Sequence, residues 1–338
     1  MYRDNQINCI HLAIDMAEKK RILFIGLACV DISFLIDSYP IEDSDHCSNF
    51  CRWSVGGNAA NSSQVFSHLL KWIENRENRN LQNHYQVEFI GSLGDDVAAR
   101  WMEEVFTAKR ITSRAIHNSG QTTATTTVLN SPINGTRTFI FYCNHLPEPN
   151  LEDLQRCDIL NAHWIHFEGR YVNMESILET IRYIRSKDTE RKITISFELE
   201  QPDKRLEAIF EEDIDYLFIG KQFAPHFGWN NIDEMLHRAA DKIIGNCWLV
   251  CIWGLLGSKV AKVSKRKIID KVHFAPAYLQ SKVLDTCGAG DTFLAATIFD
   301  IIVNKSHPGK AINFGSRVAG AKVAIHGFKQ LDEWDSIS

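Results

Sequence analysis

The sequence predicts an α/β fold in which a mostly parallel β-sheet carries helices on both faces and a small second β-sheet is added. Two observations support this prediction. Short apolar segments alternate with amphipathic stretches through the second half of the chain, the pattern of parallel strands joined by right-handed helical crossovers. Two distant segments, about residues 32–53 and 121–143, are instead extended in character, and the second is rich in Thr and aromatic residues. We expect them to pair in the small sheet.

Bulk composition narrows the class of protein. The chain has 338 residues, of which 45% are hydrophobic and 23% charged, as is usual for globular proteins. We predict one large domain over residues 21–330, an N-terminal extension at 1–20 for which the sequence gives no reason to expect order, and a tail at 331–338. The net charge of −5 offers no broad cationic surface for nucleic acid or an anionic membrane. The longest apolar run, 247–256, is too short to span a bilayer.

Cysteine usage points to a compartment. The nine cysteines follow no regular framework and show no spacing of a zinc site. Reduced thiols in a cytoplasmic protein are the simplest interpretation. No metal-ligating cluster is expected from the sequence.

The first strand is predicted at residues 21–31, an apolar run that ends in the carboxylate of Asp31. The carboxyl ends of the strands in an open α/β sheet face the ligand crevice, so Asp31 is a candidate sugar ligand. The alternative is that Asp31 caps a turn.

Residues 56–61 read GGNAAN and open a helix that extends to about residue 75. Asn58 and Asn61 are three residues apart, so both project from one face of the first helical turn. Two carboxamides beside a glycine pair supply uncharged donors and acceptors, which suits sugar hydroxyls. A helix cap would explain one of these asparagines but not both.

The middle of the chain continues the alternation. A strand is predicted at 87–91, a helix begins at 94–96, and Asn-Gly at 134–135 between β-prone runs predicts a hairpin. The basic run at 262–267 is typical of an exposed hairpin. Further strands are predicted at 163–167, 192–197, 215–219 and 247–253, and further helices at about 174–185, 204–212, 233–244 and 309–325.

The most informative segment is DTCGAGDTF at residues 285–293, where an extended stretch gives way to a helix. Gly288 and Gly290 have no side chains, so backbone N–H groups can close on an oxygen anion. The start of the helix adds unpaired donors and the positive end of its dipole. Asp291 lies in the first turn, and a carboxylate beside an anion hole suits an enzyme that deprotonates a hydroxyl during phosphoryl transfer. The alternative is a strand end followed by a capped helix.

The segments 56–61 and 285–293 together resemble the two signatures of the ribokinase-like (PfkB) sugar kinases. Shorter matches in the expected order extend the resemblance over about residues 21–328, and WIHFEGR at 164–170 narrows it to members that phosphorylate ketohexoses. The resemblance implies a ribokinase-like three-layer αβα sandwich whose small β-sheet is a lid. It also implies ATP and Mg²⁺, with K⁺ as a further candidate, and a homodimer formed through the lid.

The activity that the resemblance implies is ATP-dependent phosphorylation of D-fructose to D-fructose 1-phosphate. Other family activities stay open: phosphorylation of ribose, of fructose at the 6 position, or of adenosine. A catalytically idle sugar-binding regulator is the alternative from another class. Retention of Asp291 argues against it, because binding alone does not need a base.

Site residues carry over position by position. The resemblance implies that Asp291 is the base, and that Glu168 and Arg170 brace the site. Lys221 could contact phosphate, and Asp43 could reach the sugar of a neighbouring copy. The implied sugar ligands are Asp31, Gly57, Asn58, Asn61 and Asp291. The implied ATP contacts are Arg137, Gly254, Leu255, Leu256, Gly257 and the anion hole formed by Gly288, Ala289 and Gly290.

Overall fold

The computed structural model describes residues 18–131, 133, 136–143 and 146–328. The strands are β1 (Lys20–Ile25), β2 (Cys29–Leu35), β3 (Cys51–Gly56), β4 (Tyr85–Ile90), β5 (Ser92–Leu93), β6 (Ile111–Ser113), β7 (Ile116–His117), β8 (Thr125–Ser131), β9 (Thr136–Tyr142), β10 (Trp164–Glu168), β11 (Thr194–Leu199), β12 (Tyr216–Gly220), β13 (Asn246–Ile252), β14 (Ser258–Ser264), β15 (Lys267–Ile268) and β16 (His273–Ala275). The α-helices are α1 (Asn58–Glu77), α2 (Val97–Ala108), α3 (Leu151–Arg156), α4 (Met174–Lys187), α5 (Ile232–Ala240), α6 (Ala289–Ile302) and α7 (Pro308–Lys322).

The main sheet has ten strands in the order β15-β14-β13-β12-β11-β10-β1-β4-β6, with β16 paired to β14. The strands from β13 to β6 pair in parallel, and β14 runs antiparallel to β13. The chain adds strands on both sides of β1, so a crevice opens at the carboxyl ends of β1 and β10, where such sheets bind ligands.

Helices cover both faces of the sheet, as successive residues of β1 show. Ile22 and Phe24 point into a core shared with α1, α6 and α7. Leu23 and Ile25 point into a second core shared with α4 and α5. Because side chains alternate along a strand, a strand buried on both faces reads as a continuous apolar run. The predicted αβα class with a mostly parallel sheet is confirmed.

The small sheet has the strand order β3-β2-β8-β9. Its central strands β2 and β8 are parallel, and β3 and β9 pair antiparallel on the outside. β8 and β9 flank the predicted hairpin turn, of which Asn134 and Gly135 lie outside the described residues. Residues 1–17 and 329–338, with most of the predicted N-terminal extension and the tail, lie outside them as well.

The prediction of one strand over residues 21–31 is wrong, because β1 ends at Ile25 and the chain turns at Gly26 to enter β2 of the small sheet. A Cβ at Gly26 would lie 2.6 Å from the Cβ of Glu168, so only glycine allows this close passage. Glu168 then accepts hydrogen bonds from the backbone N–H of Leu27 at 2.8 Å and of Ala59 at 3.2 Å. Asp31 therefore approaches the crevice from β2 and not from the end of β1.

Two smaller observations complete the fold. The segment predicted as a helix at 204–212 forms a 3₁₀-helix, Lys204–Glu211. Among the helices of the described ranges, none has the length and apolar character needed to cross a membrane.

Candidate active site

At the N-terminus of α6 the amide of Gly290 faces open space, whereas the amide of Ala289 donates to the carbonyl oxygen of Thr286 at 3.3 Å. Gly288 precedes the helix with φ 72°, and a Cβ there would lie 2.6 Å from Cζ of Phe328. At Gly290 an added Cβ would meet nothing within 4 Å. No acceptor among the described residues bonds the amide of Gly290, as is normal in a first helical turn. The free amide of Gly290, the helix dipole and the open space together form a place where an anion can bind.

Asp291 lies in this first turn and is buried, with 6% of its surface exposed. It accepts a hydrogen bond of 2.7 Å from Nδ2 of Asn61, on the facing first turn of α1. Burial, and next the charge of Glu200, raise the pKa of Asp291 well above its usual range, although the Asn61 hydrogen bond opposes the change. A carboxylate with a raised pKa takes up a proton more readily than the carboxylate of an ordinary aspartate.

Two carboxylates that the sequence analysis did not single out flank this site. Glu198 and Glu200 stand at the carboxyl end of β11, and Nδ2 of Asn58 donates to Oε2 of Glu200 at 2.5 Å and to Oε2 of Glu198 at 3.5 Å. Burial raises the pKa of both glutamates, and the charge of Glu200 raises that of Glu198 further. Like Asp31, both glutamates lie at the end of a strand predicted from the sequence, so the sequence contains the signal for them.

Glu168 and Arg170 connect the elements around the crevice. Besides its bonds to Leu27 and Ala59, Glu168 accepts from Nη1 of Arg170 at 3.4 Å. Arg170 also donates from Nε to Oε1 of Glu148 at 2.6 Å. The two side chains are nine-tenths buried and tie β10 to the starts of β2 and α1.

A cleft of about 740 Å³ runs beneath the small sheet, and its walls include Asp31, Asn61 and Arg137. Gly56 packs directly on the carboxylate of Asp31, since a Cβ there would lie 2.2 Å from Oδ2. Gly57 has φ 92°, and its Cβ would lie 2.3 Å from the carbonyl oxygen of Leu27. The structure thus brings together Asp31, Asn61 and, through its bond to Asn61, Asp291.

Arg137 reaches from β9 to the segment that precedes the anion hole. Its Nη1 lies 3.4 Å from Oδ1 of Asp285, and its Nη2 donates to Oγ1 of Thr286. Asp285 also accepts from the amides of Cys287 and Gly327, each at 2.9 Å. Lys322, with no exposed surface, donates from Nζ to the carbonyl oxygen of Asp285 at 2.8 Å and lies 3.1 Å from Oδ2.

Charge balance keeps Asp285 ionised. Burial alone would raise the pKa of Asp285, but the charge of Lys322 and the two backbone donors together lower it. Nothing in the sequence pattern distinguishes Lys322 from the solvated lysines of other helices, so sequence reasoning missed it.

The predicted nucleotide loop lies after β13. Gly254 and Gly257 have φ 57° and 89°, and Lys221 extends toward Gly254, with Nζ 3.5 Å from where a Cβ would stand. Leu255 and Leu256 are 80% and 65% exposed. Within the described residues, no hydrogen bond or ion pair links this loop to Asp291.

Asp43 is a predicted site residue that is exposed and makes no hydrogen bond or ion pair with the other site residues in the described part of the chain. It lies in the exposed connection between β2 and β3, with φ 57°. Neither Asp43 nor Lys221 is among the residues that line the cleft, and Asn58 and Asp291 are not among them either. Among the described residues, no group of three or more His, Cys, Asp or Glu side chains could hold a metal ion.

Comparison with known proteins places the chain in a family. The profile of the pfkB family carbohydrate kinases matches residues 19–333. The ketohexokinase of Mus musculus is 31% identical over 315 residues, which cover 92% of this chain and 98% of that protein.

Two solved structures share the fold at low sequence identity. The ribokinase of Giardia lamblia superposes with a TM-score of 0.75 at 16% identity, over 95% of this chain and 99% of its own. The adenosine kinase of Sinorhizobium meliloti gives 0.71 at 17% identity, over 91% and 95%. The chain therefore belongs to the pfkB family of carbohydrate kinases, and it is an ATP-dependent sugar kinase of ribokinase-like fold.

Proposed function

We propose that this kinase transfers the γ-phosphoryl group of ATP to the first-carbon hydroxyl of a ketohexose, D-fructose, and releases D-fructose 1-phosphate. The observation that carries the proposal is the buried pair of Asp291 and Asn61 at 2.7 Å, beside the unpaired amide of Gly290. The similarity to mouse ketohexokinase supports the choice of ketose.

Asp291 accepts the proton of the acceptor hydroxyl as the alcohol oxygen bonds to the γ-phosphorus. The bond from that phosphorus to the bridging oxygen breaks, and ADP leaves with its electron pair. The transition state of phosphoryl transfer is loose, so the nucleophile bonds late and a carboxylate suffices as base. The amide of Gly290 and the dipole of α6 face the charge that spreads over the phosphoryl oxygens.

The sugar site has a hydrogen-bond acceptor that no described residue satisfies. The Oδ1 atom of Asn61 is buried and has no hydrogen-bond partner among the described residues. An unpaired buried acceptor costs about 1–3 kcal/mol, which a substrate hydroxyl would recover by donating to it. Asp31, across the cleft, adds a carboxylate that can accept from a second hydroxyl.

We assign the phosphates of ATP to the open space at Gly290. Arg137 would contact them from its position beside Thr286, which precedes the same helix. Mg²⁺ neutralises phosphate charge in such reactions. We assign the Mg²⁺ to the phosphates of the nucleotide, because Mg²⁺ keeps several waters and is usually held through substrate phosphates. A requirement for K⁺ stays a prediction, and replacing KCl by choline chloride in the assay tests it.

A substrate panel tests the proposal. ADP release is measured with ketoses, aldoses and nucleosides, and NMR assigns the phosphorylated carbon. We expect the highest kcat/KM with D-fructose and a phosphate on its first carbon. Preference for ribose or adenosine would assign the protein to another activity of the family, and no release with any acceptor would favour the sugar-binding regulator.

The small sheet is also the proposed dimer contact. Its outer strand β9 exposes Phe139, Ile140, Phe141 and Tyr142 by 49%, 58%, 47% and 52%, and an apolar edge strand is prone to pair with another chain. We propose that the Asp43 loop of a second copy bound there reaches the sugar of its neighbour. Light scattering should give the dimer mass for the wild type and the monomer mass for Ile140→Arg; a monomeric wild type would contradict the proposal.

The cytosol is the compartment that we propose. The eight cysteines in the described part of the chain are all free thiols, which suits a reducing environment.

A further inference from the structure

The carboxyl end of β11 places an acidic side chain against a predicted sugar ligand. Oε2 of Glu200 accepts from Nδ2 of Asn58 at 2.5 Å. Glu198, 5% exposed, is the more distant acceptor at 3.5 Å. Neither glutamate has a described arginine or lysine within ion-pair distance, so their role is not explained by a structural salt bridge.

The contact fixes which way the amide of Asn58 points. An ionised carboxylate can only accept, so the NH₂ group of Asn58 must face Glu200 and the carbonyl Oδ1 must face away. No described residue donates to that oxygen. Asn61 follows the same rule, since its NH₂ group faces Asp291 and its buried Oδ1 has no partner among the residues that the structure describes.

We propose that Glu200 is a positioning residue of the sugar site, which holds the Oδ1 atom of Asn58 ready to accept a hydrogen bond from a substrate hydroxyl. The inference rests on the proposed function. Asn58 and Asn61 are neighbours on the first turn of α1, so their two carbonyl oxygens require an acceptor sugar with two hydroxyl donors close together. A site built around such acceptors discriminates against deoxy analogues, because the unpaired acceptor is then left buried.

Glu200 has a second, electrostatic effect on the base. The charged groups that face Asp291 are Glu198 and Glu200 from β11, Glu168 from β10 and Lys322 from α7, together with the amide of Asn61. After burial, the charge of Glu200 is the largest contribution that raises the pKa of Asp291. Removing that charge lowers the pKa, so the base stays ionised to lower pH.

Two variants separate these effects. Glu200→Asp keeps the charge but shortens the side chain by one methylene, which breaks the contact with Asn58. We expect the KM for D-fructose to rise about tenfold, the loss of one good hydrogen bond, with the acid limb of the kcat profile close to that of the wild type.

Glu200→Gln keeps the reach and the acceptor but removes the charge, so we expect the acid limb of the kcat profile to move to lower pH. The control is Glu211→Gln, which makes the same change at an exposed position at the end of the 3₁₀-helix Lys204–Glu211. It should match the wild type.

A double-mutant cycle shows whether Glu200 acts through Asn58. In an Asn58→Ala background, Glu200→Asp should raise KM no further, whereas an independent structural role would add its full effect. The proposal would be overturned by additive effects on KM in the double variant. It would also be overturned if Glu200→Gln left the acid limb of the kcat profile unmoved, or if raised Mg²⁺ restored the activity of the Glu200→Asp variant. If Glu200→Asp does not fold, Glu200→Ala, which also removes the contact with Asn58, replaces it in both backgrounds. Turnover of D-fructose by the wild type and by Glu211→Gln tests the proposed function separately.

Discussion

Replacing Lys322 by Met tests how the segment before the anion hole is held in place. The ammonium is fully buried and lies 2.8 and 3.1 Å from two oxygens of Asp285. Removing one partner of a buried ion pair costs about 3–5 kcal/mol. Two features reduce this figure. Asp285 keeps its hydrogen bonds from the amides of Cys287 and Gly327. The burial that lowers the pKa of Lys322 is a cost of its ammonium charge, and the Met variant does not have that cost. We expect a loss of about 2–3 kcal/mol in the free energy of unfolding.

Urea unfolding followed by tryptophan fluorescence measures the change. Lys310→Met, at an exposed position of the same helix, is the matched control and should stay within about 0.5 kcal/mol of the wild type. In the double variant with Asp285→Asn, the cost should be smaller than the sum of the single costs by about 1–3 kcal/mol. Additive costs would show that the pair does not stabilise the fold, and the reasoning from its geometry would be refuted.

The remaining predictions concern the start of α6. Gly290→Ala should raise the free energy of unfolding by about 0.5–1 kcal/mol, because alanine favours the helix and meets no neighbour. The same variant should lower kcat/KM for ATP by about 10–100-fold, because its methyl group occupies the space of the phosphoryl group; unchanged ATP kinetics would remove the anion hole from this place. Gly288→Ala should destabilise the protein in thermal unfolding, because φ is 72° and the methyl group meets Phe328. Asp291→Asn should increase the free energy of unfolding more at pH 8 than at pH 4. Because the pKa of the buried carboxyl is raised in the folded state, the wild type loses stability as pH rises from the unfolded-state pKa, about 4, through the folded-state pKa. Equal gains at both pH values would contradict the raised pKa.

Much of the architecture follows from local pattern, since the strands are buried on both faces and the helices between them are amphipathic. The exceptions come from tertiary contacts. Residues 21–31 read as one apolar strand, and only the approach of Glu168 to Gly26 shows why the chain leaves the sheet there. The hydrophobic pattern of the sequence gives no sign of that contact, because the two residues are far apart along the chain.

The site divides in the same way. Asn61 and Asp291 could be chosen from their motifs, because glycines and helix starts show where donors are exposed, and the structure joins the two side chains. Glu200 and Lys322 belong to no motif, and their significance comes from the partners that the fold supplies. The predicted nucleotide loop at Gly254 is placed near Lys221, but its relation to ATP depends on a ligand and stays a prediction.

The turnover of Asp291→Asn, measured by ADP release with saturating D-fructose and ATP, tests the central claim most directly. The account predicts that kcat falls by about 10²–10⁴-fold, the usual contribution of a general base. Fructose affinity measured by calorimetry should stay within about tenfold of the wild type, since the fold and the other ligands are retained. A kcat near the wild-type value would contradict the assignment of Asp291 as the base.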